Sequence, residues 1–434
     1  MSLAAESGPL ADVVNLVRER LNRLPGVRCY RLGLSGGLDS VVLLHILRMF
    51  PPAAPLKVIH INHGLRPAAA EWSLFCAELC RNYGIEIDIM QVDAKPAKGE
   101  SPEAAARKAR YAAIEQLLEP GECLLTAHHQ DDQAETLLLQ LLRGSGPAGL
   151  AAMPEFAQFA SGLHARPLLA FERRTLHEYA LAAGLRWIED DSNDDERYNR
   201  NFLRQRVIPV LRERWPALAQ TLTRAALHQA EALELMQALA DIDYPQVLNR
   251  LSDTLSVGAL QALTDTRMRN VLRYWLQQHA ALPPSAAVLQ QIVNCTGLAA
   301  DRTPLVEWDN WEVRRYGDEL HLLERNPPAP ADEYAWSLSA GDFRIPELKL
   351  ELRLADLLAA GLRVPPATAT IYIRFRVGGE RIVLPGREHS SSLKKLLQER
   401  AIPPWLRTRL PLLYDEQGRL LGVLGIEPPL FTAG

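Results

Sequence analysis

An apolar run, Cys29–Leu34, stops abruptly at Ser35-Gly36-Gly37, and a second apolar stretch of helical character, Val41–Phe50, follows within a few residues. This strand–glycine–helix unit constrains the fold more than any other feature of the chain. A strand that feeds straight into a covering helix belongs to a parallel set. The continuation agrees. Lys57–Asn62, Ile85–Val92 and Cys123–Ala127 read as further strands, and Glu71–Tyr83, Pro102–Leu118 and Asp131–Leu142 as the helices between and after them. Leu10–Leu24 reads as an amphipathic helix ahead of the first strand. The helix from Pro102 opens with Ser101 as cap and proline in its first turn, where a missing amide costs nothing. The expected fold is α/β: an N-terminal doubly wound parallel sheet with helices on both faces, whose ligands bind beyond the carboxyl ends of the strands.

After about Trp215 the pattern changes. Ala217–Leu239 and Val257–His279 carry Leu and Ala at helical spacing, which predicts an all-helical module. Trp311–Leu323 reads as a hairpin turning at Tyr316-Gly317-Asp318, and Asn326-Pro327-Pro328-Ala329-Pro330-Ala331 as a stiff linker. Beyond it, short strands such as Ala369–Val377 and one basic helix, Ser391–Arg400, predict a small α+β C-terminal domain. The expected division is therefore 1–216, 217–325 and 326–434.

Gly36 and Gly37 admit positive φ and let main-chain amides approach a ligand closely. The first amides of the following helix point the same way, with the positive end of the helix dipole behind them. Ser35 and Ser40 add hydroxyl donors. Together they make a phosphate cradle. It is neither a GxxxxGK[ST] loop, since no lysine follows the glycines, nor a GxGxxG fingerprint. The plain alternative is a glycine turn between strand and helix. Asp39 argues against that, because a carboxylate among phosphates calls for a bridging cation.

The formal net charge of −4 does not mark the whole chain as a nucleic-acid binder, so any basic surface must be local. Two stretches qualify: residues 197–214 hold six Arg against one Glu, and residues 371–410 nine Lys and Arg against three Glu. Tyr198, Phe202, Tyr372, Phe375 and Trp405 are interleaved with them and could stack on unpaired bases; the alternative for either stretch is a solvated face. The five cysteines form no CxxC pair, which fits a reducing compartment better than a disulfide scaffold or a zinc site. The N-terminus lacks the basic start and apolar core of a signal peptide, and no apolar stretch approaches the roughly 20 residues of a membrane span. The expectation is a cytoplasmic protein with no membrane partner.

Ser35-Gly36-Gly37-Leu38-Asp39-Ser40 resembles the SGGxDS signature of the PP-loop ATP pyrophosphatase superfamily. The resemblance implies that ATP is split between its α and β phosphates to adenylate a carbonyl-type oxygen. It also implies that Ser35, Gly36, Gly37, Leu38, Asp39 and Ser40 hold the leaving pyrophosphate, with Asp39 binding Mg²⁺ or orienting the phosphates. Further runs look like tRNA(Ile)-lysidine synthetases, in order and over nearly the whole chain. They are His60-Ile61-Asn62-His63-Gly64-Leu65-Arg66, Arg107-Lys108-Ala109-Arg110-Tyr111, Ala127 through Thr136, Leu141 through Gly146, Trp187 through Asn193, Arg200-Asn201 with Arg204, and Gly386-Arg387-Glu388-His389 onward to Trp405. About 220–300 matches least distinctively.

That resemblance implies a ligase of tRNA modification. ATP would adenylate the C2 oxygen of the wobble cytidine of tRNA(Ile) with a CAU anticodon, and the ε-amine of free L-lysine would displace AMP to give lysidine. Residues 1–216 would be the ATP-binding catalytic domain and the two later domains would bind tRNA. The expected catalytic residues are Asp39, Asp132, Glu135, Arg107 and Arg110, with Asp39 and Asp132 on Mg²⁺. His63 joins the ATP-binding loop, and Arg200, Arg204, Arg387, Lys394 and Lys395 are expected on tRNA. Asp132 and Glu135 lie three apart at a helix start, on one face, where they could hold Mg²⁺, accept protons from an attacking amine, or complement the helix dipole. His128 reads as structural, and His129 is left open. A homodimer is compatible with this reading. Two rivals stand beside it: another PP-loop tRNA-modifying enzyme such as a thiolase, and a non-catalytic tRNA-binding protein with a dead nucleotide loop.

Overall fold

The structure is a computed structural model that describes residues 9–24, 26–62, 64, 69–93, 95, 102–189, 195–250, 252–279, 281, 283–299, 301–325, 331–348, 350–366, 368–385, 389–426 and 428–432. His63, Arg387 and most of the proline-rich linker lie outside the described residues. The chain divides into two compact units, Met1–Met236 and Gln237–Gly434.

The first unit contains, in order, α1 (Pro9–Asn22), β1 (Cys29–Gly33), α2 (Leu38–Met49), β2 (Leu56–Asn62), α3 (Ala69–Tyr83), β3 (Ile87–Gln91), α4 (Pro102–Leu117), β4 (Glu122–Leu125), α5 (Gln130–Leu142), α6 (Pro147–Leu150), β5 (Phe156–Phe159), β6 (Gly162–Ala165), α7 (Arg173–Ala182), α8 (Asn199–Phe202) and α9 (Ile208–Arg214). A further helix, α10 (Leu218–Val247), begins in this unit. The sheet order is β3-β2-β1-β4-β6-β5. Every pair is parallel except the β5–β6 hairpin at one edge. The alternation of strands and helices shows the parallel part; the edge hairpin is too short, at four residues per strand, to stand out.

Helices cover both faces, so the central strands are apolar throughout rather than alternating. Leu32 of β1 pairs with Val58 and Leu125, and all three are fully buried. One face packs on Val13, Val17, Leu43, Ile46, Cys76 and Leu176, and the other buries Ile59 and Leu124 against Ile114 and Leu118. The strand order reverses at β1: the chain runs outward to β2 and β3, then returns to β4 on the other side. This switch point leaves a crevice at the carboxyl ends of β1 and β4, where a parallel sheet of this kind takes its ligands.

In the second unit, β7 (Leu248–Asn249), β8 (Thr254–Ser256), β9 (Leu305–Trp308), β10 (Trp311–Tyr316) and β11 (Glu319–Glu324) form an antiparallel sheet in the order β7-β8-β11-β10-β9. The helices α11 (Val257–Gln261), α12 (Asp265–Gln278) and α13 (Ala286–Thr296) share its core, with Trp275, Leu272, Val313 and Leu320 buried together. The single helix expected over Val257–His279 is interrupted, because the Thr264 hydroxyl accepts from the Arg267 amide and starts a new helix. The β10–β11 hairpin turns at Gly317, whose φ is +58°.

A second five-stranded sheet follows, with β12 (Glu333–Ser337), β15 (Thr370–Phe375), β18 (Pro411–Tyr414), β19 (Leu420–Val423) and β20 (Leu430–Phe431) in that order. Two short hairpins flank it, β13 (Phe343–Ile345) with β14 (Leu350–Leu352) and β16 (Arg381–Ile382) with β17 (Ser391–Ser392). Three short helices complete it: α14 (Leu354–Ala359), α15 (Leu393–Glu399) and α16 (Pro404–Arg407). α15 buries Leu393, Leu396 and Leu397, leaving Lys394 and Lys395 exposed on its other side. Trp405 of α16 is not open to stack on bases. Its ring sits 5.9 Å from Tyr316 and 5.5 Å from His321, with Arg314 over it at 5.2 Å. Among the described residues no helix is long and apolar enough to cross a membrane.

Candidate active site

The loop Ser35–Ser40 crosses from β1 into α2 at the switch point. Gly36 has φ +86°, a conformation that side-chain-bearing residues rarely hold. A Cβ there would stand 2.6 Å from Ile188 Cδ1 and 3.2 Å from Cys76 Sγ. The loop is also tied from below, where Ile188 N–H donates to Gly36 O at 2.9 Å. Ser40 Oγ accepts from the Ser35 amide at 3.2 Å and lies 3.1 Å from Ser35 Oγ. Gly37 occupies the N-cap of α2, with no side chain satisfying the first amides. Those amides are therefore left for a ligand, as the cradle requires.

Asp39 stands at the first turn of α2. Its Oδ1 is buried and accepts no hydrogen bond. Burial pushes its carboxyl above the usual range; His129 pulls the other way and Asp132 adds to the rise. Oδ2 lies 3.7 Å from His129 Nε2, which is 3.3 Å from Asp132 Oδ2. His129 is the N-cap of α5: its Nδ1 accepts from the Asp132 amide, and Asp132 Oδ2 accepts from the His129 amide. With Nδ1 accepting from the Asp132 amide, Nε2 is the ring nitrogen that faces the two carboxylates.

Asp132 and Glu135 form the floor, 12% and 1% exposed at the side chain. Arg200 of α8 reaches Glu135 Oε2 with Nε at 2.6 Å and Asp132 Oδ1 with Nη2 at 2.9 Å. Arg204 places Nε 2.6 Å from Glu135 Oε1 and Nη2 3.0 Å from Oε2. Arg204 lies in a single π-helical turn, Leu203–Val207, between α8 and α9, closed by the Ile208 amide on Leu203 O. Burial works against ionising Asp132, yet His129 and Arg200 hold its carboxyl well below the usual carboxylate range. Beside it, Asp131 accepts from the Arg173 amide at 2.8 Å and pairs with Arg212 of α9.

The structure thus brings together Ser35–Ser40, Asp39, Asp132, Glu135, Arg200 and Arg204. The two arginines expected on tRNA are engaged by the carboxylates of this floor. Arg107 stacks on Tyr111 at 5.0 Å and acts electrostatically on His128, while Arg110 acts on His60 at the tip of β2. Lys394 and Lys395 belong to the second unit, on exposed α15. Sequence reasoning missed the bridging role of His129, the partners of Asp131, and a polar chain of Thr126, His164 and Arg166 beside His128. Only the clustering of polar residues after β4 hinted at them. Among the described residues no group of three or more His, Cys, Asp or Glu is placed to hold a metal ion.

Three family descriptions match successive parts of the chain: a PP-loop domain over residues 12–211, a TilS substrate binding domain over 255–321 and a TilS substrate C-terminal domain over 371–427. The chain is 43% identical over 407 residues to a tRNA(Ile)-lysidine synthase of Methylococcus capsulatus, with 91% of each chain covered. It is 41% identical over 398 residues to one of Legionella pneumophila, again with 91% of each covered. A third, from Coxiella burnetii, is 41% identical over 405 residues, covering 91% of this chain and 88% of that one. Among solved structures, the U34-tRNA thiolase NcsA of Methanococcus maripaludis covers 51% of this chain and 79% of that one, at a TM-score of 0.43 and 19% identity.

Proposed function

Because the chain belongs to the tRNA(Ile)-lysidine synthase family, we propose that the crevice between β1 and β4 is where it carries out that family's chemistry on one tRNA cytidine. It is an ATP-dependent ligase that forms lysidine on tRNA. The finer points are our reading: the nucleotide is the wobble cytidine of a CAU anticodon, the amine is free L-lysine, and the C2 oxygen is adenylated before lysine displaces AMP.

The observation that carries this reading is the meeting of Asp39 and Asp132 on His129 Nε2, which joins the phosphate cradle to the acidic floor in one site. The cradle amides and the hydroxyls of Ser35 and Ser40 receive the β and γ phosphates. Asp39 fits a divalent cation, since its buried Oδ1 has no partner. Asp132 fits one less well, because its oxygens are engaged by His129, Arg200 and Arg204. Asp39 would therefore hold Mg²⁺, which neutralises phosphate charge. Arg200 and Arg204 pin Asp132 and Glu135 together as the floor of the site, beside which the lysine amine would attack. Arg107 and Arg110 line the same end of the sheet, where they can clamp phosphate or base. Lys394 and Lys395, with Arg387, would contact the tRNA backbone from the last domain, 326–434, and 217–325 would serve as the other tRNA-binding module.

A thiolase would need a reactive cysteine. All five thiols are free and buried, and burial pushes Cys76 and Cys123 up to about 12 and Cys80 up to about 11. The direct test is incubation with labelled lysine, ATP and tRNA(Ile) carrying a CAU anticodon. Label on the tRNA with release of AMP and pyrophosphate is expected, and an unlabelled tRNA sinks the assignment.

A further inference from the structure

We propose that Thr126 and His164 fix the tautomer of His128, so that His128 presents a single N–H donor from Nε2 to the acceptor edge of the target cytosine and helps select cytidine over uridine. The proposal rests on the cytidine-modifying reading above.

Thr126 stands just past the tip of β4. Its Oγ1 lies 2.8 Å from His128 Nδ1 and 2.8 Å from His164 Nε2. On the far side of His164, Nδ1 is 3.1 Å from Arg166 Nη2, and Arg166 is itself anchored by Nη1 on Pro154 O at 2.6 Å. A guanidinium has donors only, so His164 Nδ1 must be bare. A neutral imidazole with a bare Nδ1 carries its proton on Nε2, and His164 therefore donates to Thr126 Oγ1. The hydroxyl has one proton of its own, and the remaining neighbour able to take it is His128 Nδ1. Thus His128 Nδ1 is also bare, and its proton sits on Nε2. The hydrogen bonds run one way, from Arg166 through His164 and Thr126 to His128.

Both rings are neutral, as this chain requires. Burial pushes His128 and His164 down to about 3; Arg166 and Arg107 push the same way on both, and Asp132 opposes them only at His128. Among the described residues no hydrogen bond engages His128 Nε2. His128 immediately precedes His129, whose Nε2 lies between Asp39 and Asp132, so it stands on the loop that closes the site.

A donor that cannot become an acceptor discriminates between pyrimidines. The contact that discriminates is to N3, which accepts in cytosine; O2 accepts in both bases and tells them apart in neither. Uracil has a hydrogen on N3, so the same contact would set two donors against each other. A site that leaves a polar group unpaired with the wrong substrate rejects it more strongly than a site that only fits shape.

The test uses the full chain labelled with ring-¹⁵N histidine. Nδ1 of His128 should be unprotonated and Nε2 protonated. Thr126→Val should abolish that single tautomer, and Thr126→Ser should retain it. In kinetics, His128→Ala should lower kcat/KM for tRNA by roughly ten- to a hundredfold while leaving KM for ATP unchanged. It should also narrow the preference, read as pyrophosphate release, for transcripts bearing cytidine over uridine at the modified position. His128→Gln, whose amide nitrogen sits where Nε2 does, should recover much of both. A protonated Nδ1, or an unchanged cytidine-to-uridine ratio in His128→Ala, overturns the proposal alone. If the parent chain attaches no lysine to tRNA, the cytosine assignment falls together with the lysidine reading.

Discussion

Glu135 and Arg204 are joined twice, Nε to Oε1 at 2.6 Å and Nη2 to Oε2 at 3.0 Å, with the carboxylate almost wholly buried. Arg200 shares the same carboxylate. Glu135→Ala would leave two guanidinium groups competing for Asp132. Stability should fall by about 2–3 kcal/mol, read from the denaturant midpoint, and lysine incorporation should be lost. An unchanged midpoint would mean that this network does not hold α8 onto α5.

Asp39 should show the opposite balance. Its folded-state carboxyl lies above the usual range because it is buried. Such a group binds its proton more tightly when folded, so it costs stability as pH rises from the unfolded value through the folded one. Asp39→Asn should stabilise the nucleotide-free protein at neutral pH by about 1 kcal/mol, read as a higher unfolding temperature. It should also abolish pyrophosphate release and leave tRNA affinity near normal. Equal loss of tRNA binding would show that the role given to Asp39 is wrong.

The two loop glycines separate conformation from ligand approach. Gly36→Ala meets Ile188 at 2.6 Å with φ at +86° and should destabilise by about 1–3 kcal/mol. Gly37 has φ −75°, and a Cβ there would meet nothing nearer than 3.5 Å. Gly37→Ala should fold normally and lose ATP affinity. If it binds ATP as the parent does, the phosphates do not pass against Gly37.

Acid should loosen the first unit. Burial opposes ionising Asp131 and Asp132, but their partners hold both below the usual carboxylate range. Their contribution is complete above the unfolded value near 4 and is lost as pH falls towards the lower folded values. Urea titrations from neutral pH to about pH 3 should show stability declining below about 4. The Arg212→Ala variant should show a shallower decline, and an identical slope would remove Arg212 from the account.

Lys394 and Lys395 provide the test of the tRNA surface. Replacing both by Ala should weaken tRNA binding similarly for all sequences and reduce the slope of log affinity against log salt by roughly 1–2. The turnover number should hold at saturating tRNA. An unaltered salt slope would place the backbone contacts elsewhere.

The parallel sheet and cradle were legible because both rest on local signals: apolar runs ending in glycine, and helices that follow at once. That Asp39, Asp132 and Glu135 stand at the starts of the helices after β1 and β4 was legible for the same reason. What the sequence concealed depends on distance along the chain. Arg200 lies 65 residues from Glu135, and nothing in its own helix shows whether it faces solvent, phosphate or a carboxylate. The β5–β6 hairpin was hidden by its brevity, and so were the strands that join the expected β10–β11 hairpin behind α11–α13, at two to four residues each. Trp405, read as a base-stacking aromatic, packs on Tyr316 and His321, contacts about 90 positions away that no periodicity announces.

The wide turn Leu203–Val207 makes chain length itself a catalytic parameter. A helix with one extra amino acid in a single coil offsets everything after it by about 100° from the ordinary winding. Deleting one position there would close the coil, carry Arg212 off Asp131 and leave Arg200 where it is. Apart from Leu203 and Arg204, substitutions in this segment can be tolerated while a one-codon loss cannot, so an insertion–deletion scan across 203–207 should expose a constraint that point mutagenesis would miss.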